Sequence, residues 1–198
     1  MAAFFQSLEK TLLAGLVILV AIIIIVGAAS GDFIKFDHAW FTFFMRWLHV
    51  LSGVMWIGLL WYFNFVQTPQ MPKIEPADSR VAVTKFIAPA ALFWFRWGAA
   101  ATILTGLLLG WMNGYIVEAL TFRGGSHVIG IGMWLGIIMA YNVWFIIWPN
   151  QKRALGIVSA TDEEKANSAR VAGMTSRINT MLSIPMLFCM VAAQNAGL

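Results

Sequence analysis

The sequence is poor in charged residues and in cysteine. Charged side chains make up 11% of its 198 residues, whereas soluble domains carry about 25%. Because Cys189 is the only cysteine, no disulfide can form within the chain, and no CxxCH motif for covalent haem attachment exists. A glycine-rich phosphate loop, an HExxH motif and a nucleophile elbow are also absent. These absences exclude a disulfide-stapled domain, an attached c-type haem and the common nucleotide-binding and hydrolase motifs.

Long apolar runs take the place of the missing charge. Hydrophobic residues make up 60% of the chain, and its mean hydropathy is +0.78. Residues 11–29 and 97–117 contain no charged side chain. At 1.5 Å rise per residue, about 20 apolar residues span the ~30 Å hydrocarbon core of a bilayer. The sequence therefore predicts an all-α integral membrane protein, with residues 1–198 forming a single transmembrane helical domain.

The apolar runs predict a bundle of about five transmembrane helices. They cover about residues 8–28, 40–67, 87–112, 126–148 and 178–195. We expect the second helix to end before Pro69, the fourth to end at Pro149, and Pro185 to kink the fifth. Turn residues between 113 and 125 leave room for a short interfacial helix. The longest polar segment, residues 151–177, contains a helix-start pattern at Thr161.

Basic residues concentrate in two of the predicted loops. The 68–86 loop holds Lys73, Arg80 and Lys85, and the 149–177 loop holds Lys152, Arg153, Lys165, Arg170 and Arg177. The positive-inside rule places both loops and the N-terminus on the cytoplasmic side of a bacterial inner membrane. Five spans then place the C-terminus in the periplasm. The net charge of +4 is therefore attributed to membrane orientation and not to nucleic-acid binding.

Two of the three histidines are candidate cofactor ligands. His49 lies about two turns into the second predicted helix, and His127 begins the fourth. Both helices enter the membrane from the outer side, so both imidazoles are expected in its outer half. Two imidazoles at one depth on different helices are the arrangement that holds a b-type haem by both axial positions. The metal-binding residues predicted on this basis are His49 and His127.

Small and basic neighbours fit the same cofactor. Gly53 lies four residues after His49, and Gly130 lies three residues after His127. Glycines on the ligand faces leave room for a flat macrocycle, and Arg46 is placed to bind a haem propionate. The alternative is that the histidines only bond to neighbouring helices or water and that the glycines serve close helix packing. Two histidines alone also specify no particular metal.

Three polar residues are predicted in the inner half of the membrane. They are Asn64, Arg96 and Asn142. An arginine within a membrane is costly and needs a partner or water, which makes Arg96 a candidate functional residue. The alternative is that Arg96 reaches the interface beside Trp94 and Trp97 as an anchor.

Several motifs resemble the membrane portion of the bacterial urate hydroxylase family. They are RWLHVLSG at 46–53, WIG at 56–58, WFRW at 94–97, GMWLG at 132–136, MAYNVW at 139–144, IWPNQK at 147–152, SRINT at 176–180 and LSIPM at 182–186. The resemblance covers roughly residues 40–190. It implies a membrane enzyme that oxidises urate and passes electrons to a fused C-terminal cytochrome c domain.

The chain ends at Leu198 without such a domain, so we expect a short form that needs a separate electron acceptor. The shared motifs contain Asn150, Arg177 and Asn179, which form a polar site or anchor helix ends. The first hypothesis is a small membrane redox subunit that carries electrons through haem b to a separate cytochrome or complex. The second is a cofactor-free accessory subunit of a larger assembly or homo-oligomer. The third is a urate-oxidising membrane enzyme that uses a separate cytochrome.

Overall fold

The computed structural model describes residues 2–195, which form helices joined by short connections. In chain order the helices are α1 (Ala2–Phe5), α2 (Leu8–Ser30), α3 (His38–Lys73), α4 (Arg80–Met112), α5 (Ile116–Leu120), α6 (His127–Ala154) and α7 (Asp162–Ala192). No strand occurs within the described residues. The all-α prediction is confirmed, and so is the short helix predicted between 113 and 125.

The chain divides into two compact units, with the boundary after Phe41. In the first unit, α2 begins at the N-cap Ser7, whose hydroxyl accepts a hydrogen bond from the backbone of Lys10, and it ends at Gly31 with a left-handed φ of 69°. Gly27 is the one described residue of α2 that is buried. A helix this apolar on every face is suited to lipid. The prediction of a single domain stays a prediction.

Four of the long helices have the length and composition needed to cross a membrane. Among the described residues these candidates are α2, α3, α4 and α6, which supports a multi-pass membrane protein embedded in lipid. The fifth predicted span corresponds to the C-terminal half of α7, which is not among the four. It carries the fully buried polar residues Asn179 and Ser183. The five predicted helices are therefore present, and four of them are candidate spans.

Three helices continue through a proline that sequence patterns treat as a helix boundary. In each, a π-helical segment ends two residues before the proline; the segments are Tyr62–Gln67, Val83–Ile87 and Asn142–Ile147, and the prolines are Pro69, Pro89 and Pro149. A π segment widens the helix by one residue per turn, so the proline ring and its missing N–H are accommodated there. The ends predicted at Pro69 and Pro149 are therefore wrong, because α3 reaches Lys73 and α6 reaches Ala154.

The polar segment 151–177 is helical at 151–154, as the end of α6, and again from Asp162 onward, so the helix start predicted at Thr161 is confirmed. Its helix start is a capping box: the Thr161 hydroxyl accepts from the backbone of Glu164 at 3.2 Å, and the Thr161 N–H donates to the Glu164 carboxylate at 2.7 Å. These hydrogen bonds lower the pKa of Glu164. The predicted start of the last helix near 178 is therefore wrong by about four turns, and Pro185 lies inside α7 without ending it.

Replacing Thr161 with alanine should fray the start of α7. The change removes the hydroxyl acceptor of the capping box, and the loss of an N-cap side chain costs about 1 kcal/mol. We expect faster amide hydrogen exchange in residues 162–166 than in the wild type. The exposed Ser159→Ala is the matched control. Equal exchange in the two variants would show that the box does not stabilise the helix start.

The core of the second unit is built from four long helices. Its fully buried large side chains come from α3, α4, α6 and α7; they are Trp56, Leu60, Phe95, Met139, Val143, Ile147, Asn179 and Ser183. Most of this set is apolar, as expected of an interior. The two polar members both lie on α7, where each is hydrogen-bonded to a neighbouring helix.

Candidate functional site

A row of polar side chains on α7 bonds to the neighbouring helices. Ser176, Asn179 and Ser183 follow one another at spacings of three and four residues, which places them on one helix face. Asn64 Nδ2 donates to Ser176 Oγ at 2.8 Å, Asn142 Nδ2 donates to Asn179 Oδ1 at 2.8 Å, and Trp61 Nε1 donates to Ser183 Oγ at 2.9 Å. The row therefore connects α7 to both α3 and α6.

Two of the three donors lie in π-helical segments. Asn64 belongs to Tyr62–Gln67 and Asn142 begins Asn142–Ile147. Asn179, with no exposed surface, also donates to the Met139 carbonyl of α6 at 2.9 Å. Because π segments are frequent at functional sites, their pairing with the same polar row makes this end of the helices a candidate functional site.

A cavity of about 290 Å³ opens beside the end of this row. Its walls come from α3 and α7; the lining residues are Asn64, Thr68, Ala169, Arg170, Gly173, Met174, Ser176 and Arg177. We call it the basic pocket, because two arginines line it and none of its lining residues is acidic. Arg170 is held by Asn167, whose Oδ1 accepts from its Nη2 at 3.1 Å.

The lining of the basic pocket suits a small organic anion. Guanidinium groups bind carboxylates, phosphates and other planar oxygen acceptors through two parallel N–H donors. Hydroxyl and amide groups on Ser176, Thr68 and Asn64 add further polar contacts. Gly173 carries no side chain, and a Cβ built there would meet no atom within 4 Å, so the α7 wall is open at that point.

Arg96 lies apart from this pocket, over the indole of Trp148. Its guanidinium carbon is 3.4 Å from the ring centroid, a cation–π geometry. Trp94 and Trp97, the neighbours predicted for it, are both more than half exposed in the chain. Within residues 2–195, four buried polar atoms lack a hydrogen-bond partner, namely Trp56 Nε1, Gln67 Oε1, Arg96 Nη1 and Gln151 Oε1. Such groups need water or a ligand.

His49 lies between α3 and α4. Its Nδ1 is 2.9 Å from the Thr102 carbonyl oxygen and 3.3 Å from the Thr105 hydroxyl. The ring faces Gly106, where an added Cβ would come within 2.8 Å of the imidazole Cε1. The same histidine lines an apolar cavity of about 50 Å³ in the core of the second unit, which we call the core cavity.

The structure does not bring His127 into this cavity. His127 is the exposed first residue of α6, whereas α6 lines the core cavity with Met133, Gly136 and Ile137. Met133 is six residues after His127 (127 to 133), which is about 9 Å along a helix. The two imidazoles therefore do not lie at one level, because the first residue of a span is much shallower than residues two turns inside it.

The other residues predicted around a haem have protein neighbours. The faces of the glycines are covered: a Cβ on Gly130 would meet the backbone carbonyl of Ala119 in α5, and one on Gly53 would lie 3.9 Å from Thr102 Cγ2. Arg46 is exposed, and its charge acts on Tyr115. Burial raises the pKa of Tyr115, and the positive charge of Arg46 opposes that shift.

A haem held between the two histidines does not fit this arrangement. A cavity of about 50 Å³ has space for a few water molecules and not for a porphyrin. The described residues also contain no group of three or more His, Cys, Asp or Glu side chains arranged to hold a metal ion. Haem b binding stays a prediction, which a reduced-minus-oxidised absorption spectrum tests.

The family comparison concerns the C-terminal part of the chain, which contains α7. A family model described as urate oxidase N-terminal matches residues 112–196. This C-terminal part of the chain is therefore similar to the urate oxidase N-terminal family. No curated protein and no solved structure matches the chain. The match contains the polar row of α7 and both arginines of the basic pocket, whereas the motifs at 46–53 and 94–97 lie outside it.

Sequence reasoning identified only part of the basic pocket. Arg177 and Asn64 were candidates because of a shared motif and of a polar residue within a span. Arg170 and Gly173 were missed, because the segment that contains them was read as a loop. Their spacing from Arg177 was the available signal, since residues at intervals of three, four and seven share a face once the segment is helical.

Proposed function

We propose that this chain binds urate, or a closely related planar organic anion, in the basic pocket as the membrane part of a urate-oxidising system. The family that matches residues 112–196 supplies the substrate class. The observation that carries the proposal is the placement of Arg170 and Arg177, both within the matched segment, on one cavity with no acidic lining residue.

The chemistry of urate matches this lining. Urate is a flat monoanion at neutral pH, and its ring edge alternates carbonyl acceptors with N–H donors. A guanidinium group donates two parallel hydrogen bonds where the deprotonated ring nitrogen lies next to a carbonyl oxygen, and hydroxyl or amide oxygens accept from the N–H groups. A cavity of about 290 Å³ lies near the lower end of the range for small-molecule sites.

The hydrogen bond between Asn64 and Ser176 gives the pocket a fixed wall. Asn64 donates from one amide hydrogen to Ser176 and from the other to the Leu60 carbonyl, at 2.8 and 2.9 Å. Both bonds hold the carboxamide in one orientation. A side chain that is already held by hydrogen bonds within the protein loses little conformational freedom when a ligand binds.

The proposal includes a separate electron acceptor. Oxidation of urate by hydroxylation takes an oxygen atom from water and releases two electrons and two protons. We propose a separate cytochrome or membrane complex as the partner that receives those electrons, which makes the chain an oxidoreductase component. The positive-inside rule places the basic pocket on the cytoplasmic side of a bacterial inner membrane.

Replacing Arg177 with alanine should weaken urate binding by about tenfold or more. A hydrogen bond to a charged partner contributes roughly 1.5–3 kcal/mol, and each 1.4 kcal/mol is about tenfold in affinity. The measurement is equilibrium titration of urate into purified protein in lipid nanodiscs. Arg177→Lys should lose less affinity, because the charge remains while the paired donors are lost.

Arg123→Ala is the matched control, because Arg123 is exposed and does not line the pocket. We expect its urate affinity to equal that of the wild type. Circular dichroism of each variant establishes that the helices remain. The proposal is rejected if folded wild-type protein does not bind urate, or if Arg123→Ala and Arg177→Ala weaken binding equally.

A further inference from the structure

The core cavity brings together one imidazole and three thioethers. His49 comes from α3, Met133 from α6, and Met186 and Met190 from α7. The remaining lining residues are apolar apart from a threonine; they are Trp56, Thr102, Ile103, Gly106, Leu107, Gly136 and Ile137. We propose that this cavity binds a monovalent soft metal ion, copper(I), through His49 and the methionine sulfurs.

The hydrogen bond of His49 defines which ring nitrogen is available. The Thr102 carbonyl can only accept, so Nδ1 carries the proton and donates to it at 2.9 Å. In the neutral imidazole the other nitrogen, Nε2, then presents its lone pair. Metal-binding histidines commonly donate their second ring nitrogen to a carbonyl in this way, which fixes the ring and its tautomer.

Gly106 fixes the position of the same ring. The space that a side chain would take at Gly106 is filled by the imidazole, since an added Cβ would lie 2.8 Å from Cε1, 3.1 Å from Nδ1 and 3.7 Å from Nε2 of His49. The ring is therefore held by α4 through both a hydrogen bond and a close contact. A ligand that is already oriented loses little conformational freedom on binding.

The ligand set selects the ion. Thioether sulfurs and neutral imidazole are soft or borderline donors and favour copper(I), whereas magnesium, calcium and manganese prefer carboxylate and carbonyl oxygens. None of the lining residues is anionic, so a single positive charge is more easily accommodated than a double one in this apolar surrounding. The volume of about 50 Å³ suits an ion.

Methionine is also an ordinary filler of apolar cores, and the chain offers a control for that role. Met139 lies on α6 with no exposed surface but does not line the core cavity. Met139→Leu and Met133→Leu therefore change the same residue type at buried positions of one helix. Only the second should affect a metal ion in the cavity.

The test is competition for copper(I) between the protein in lipid nanodiscs and a chromophoric copper(I) chelator, without oxygen. We expect the wild type to bind one equivalent, His49→Ala and Met133→Leu to bind at least tenfold more weakly, and Met139→Leu to match the wild type. X-ray absorption of the loaded wild-type protein should show both sulfur and nitrogen neighbours. This measurement uses the wild-type protein alone, so it does not depend on a variant that could misfold.

The proposal is overturned if the wild type takes up no copper(I), or if Met139→Leu and Met133→Leu bind copper(I) equally well. It is also overturned if the X-ray absorption fine structure shows only oxygen and nitrogen neighbours. A reduced b-haem band that disappears in His49→Ala would assign the histidine to haem instead. The site is independent of the urate proposal, because Arg177→Ala should leave copper(I) binding unchanged.

Discussion

Replacing Gly130 with alanine is expected to destabilise the second unit by about 2 kcal/mol. The added Cβ would meet the backbone carbonyl of Ala119 and lie 3.0 Å from its carbonyl carbon. Backbone atoms cannot rotate away as the end of a side chain can, so α5 must shift from α6. Overpacking of this kind typically costs 1–3 kcal/mol. The hydrogen bond from Trp134 Nε1 to the Leu120 carbonyl, now 3.1 Å, would be strained by the same shift.

The measurement is the free energy of unfolding in detergent micelles, with Gly58→Ala as the matched control. Gly58 also lies in a long apolar helix, and a Cβ there would meet no atom within 4 Å. Alanine is favoured over glycine in a helix by about 1 kcal/mol, so the control should be neutral or stabilising. Equal effects of the two substitutions would contradict the close approach of α5 to Gly130.

Replacing Asn179 with leucine is expected to cost about 1–3 kcal/mol. The variant leaves two partners without their hydrogen bonds: Asn142 loses the acceptor at 2.8 Å, and the Met139 carbonyl loses a donor at 2.9 Å. An unpaired buried polar group costs about 1–3 kcal/mol. Since Asn179 has no exposed surface, water cannot replace the lost partner without opening the helix interface.

A double-mutant cycle with Asn142→Ala separates this bond from the packing effect. Hydrogen bonds between membrane helices average about 0.6 kcal/mol in such cycles, with a maximum near 1.7, and we expect a coupling within that range. Asn113→Ala is the control, because the Asn113 side chain donates to the Leu109 carbonyl of the adjoining helix α4 and should not couple to Asn179. Strict additivity of Asn142→Ala and Asn179→Leu would show that the two amides do not interact.

The approximate positions of the helices could be predicted from hydropathy. Several of the helix ends could not. Runs without charge predict spans directly, because the bilayer core tolerates little else. Pro69 and Pro149 misled the prediction of ends, because each follows a π-helical segment through which the helix continues. The start of α7 was placed too late because its first turns are polar. The capping box at Thr161 was the local signal for the correct start.

Site residues could be predicted from the sequence only where a single residue was unusual in its own segment. Arg177 stood out through a shared motif, and His49 as a histidine within a span. The partners of His49 did not stand out, because methionines in an apolar run read as core residues, and nothing local shows that three of them line one cavity. His127 is paired with His49 on a prediction of similar depth, but His127 is the exposed first residue of α6 and does not line the core cavity.

The basic pocket and the core cavity use different parts of the same helix. Arg177 lines the first and Met186 the second; they are nine residues apart (177 to 186), which is about 14 Å along α7. The polar row of Asn179 and Ser183 lies between them. Substitutions in that row test the stability of the helix contacts, and substitutions at either end test binding.

The most direct test of the urate proposal is a structure of the protein in nanodiscs determined with urate present. We predict density for a flat ligand in the basic pocket, with its edge within hydrogen-bonding distance of the Arg177 guanidinium and close to Ser176. Urate bound elsewhere, or a basic pocket without a ligand at saturating urate, would contradict the account.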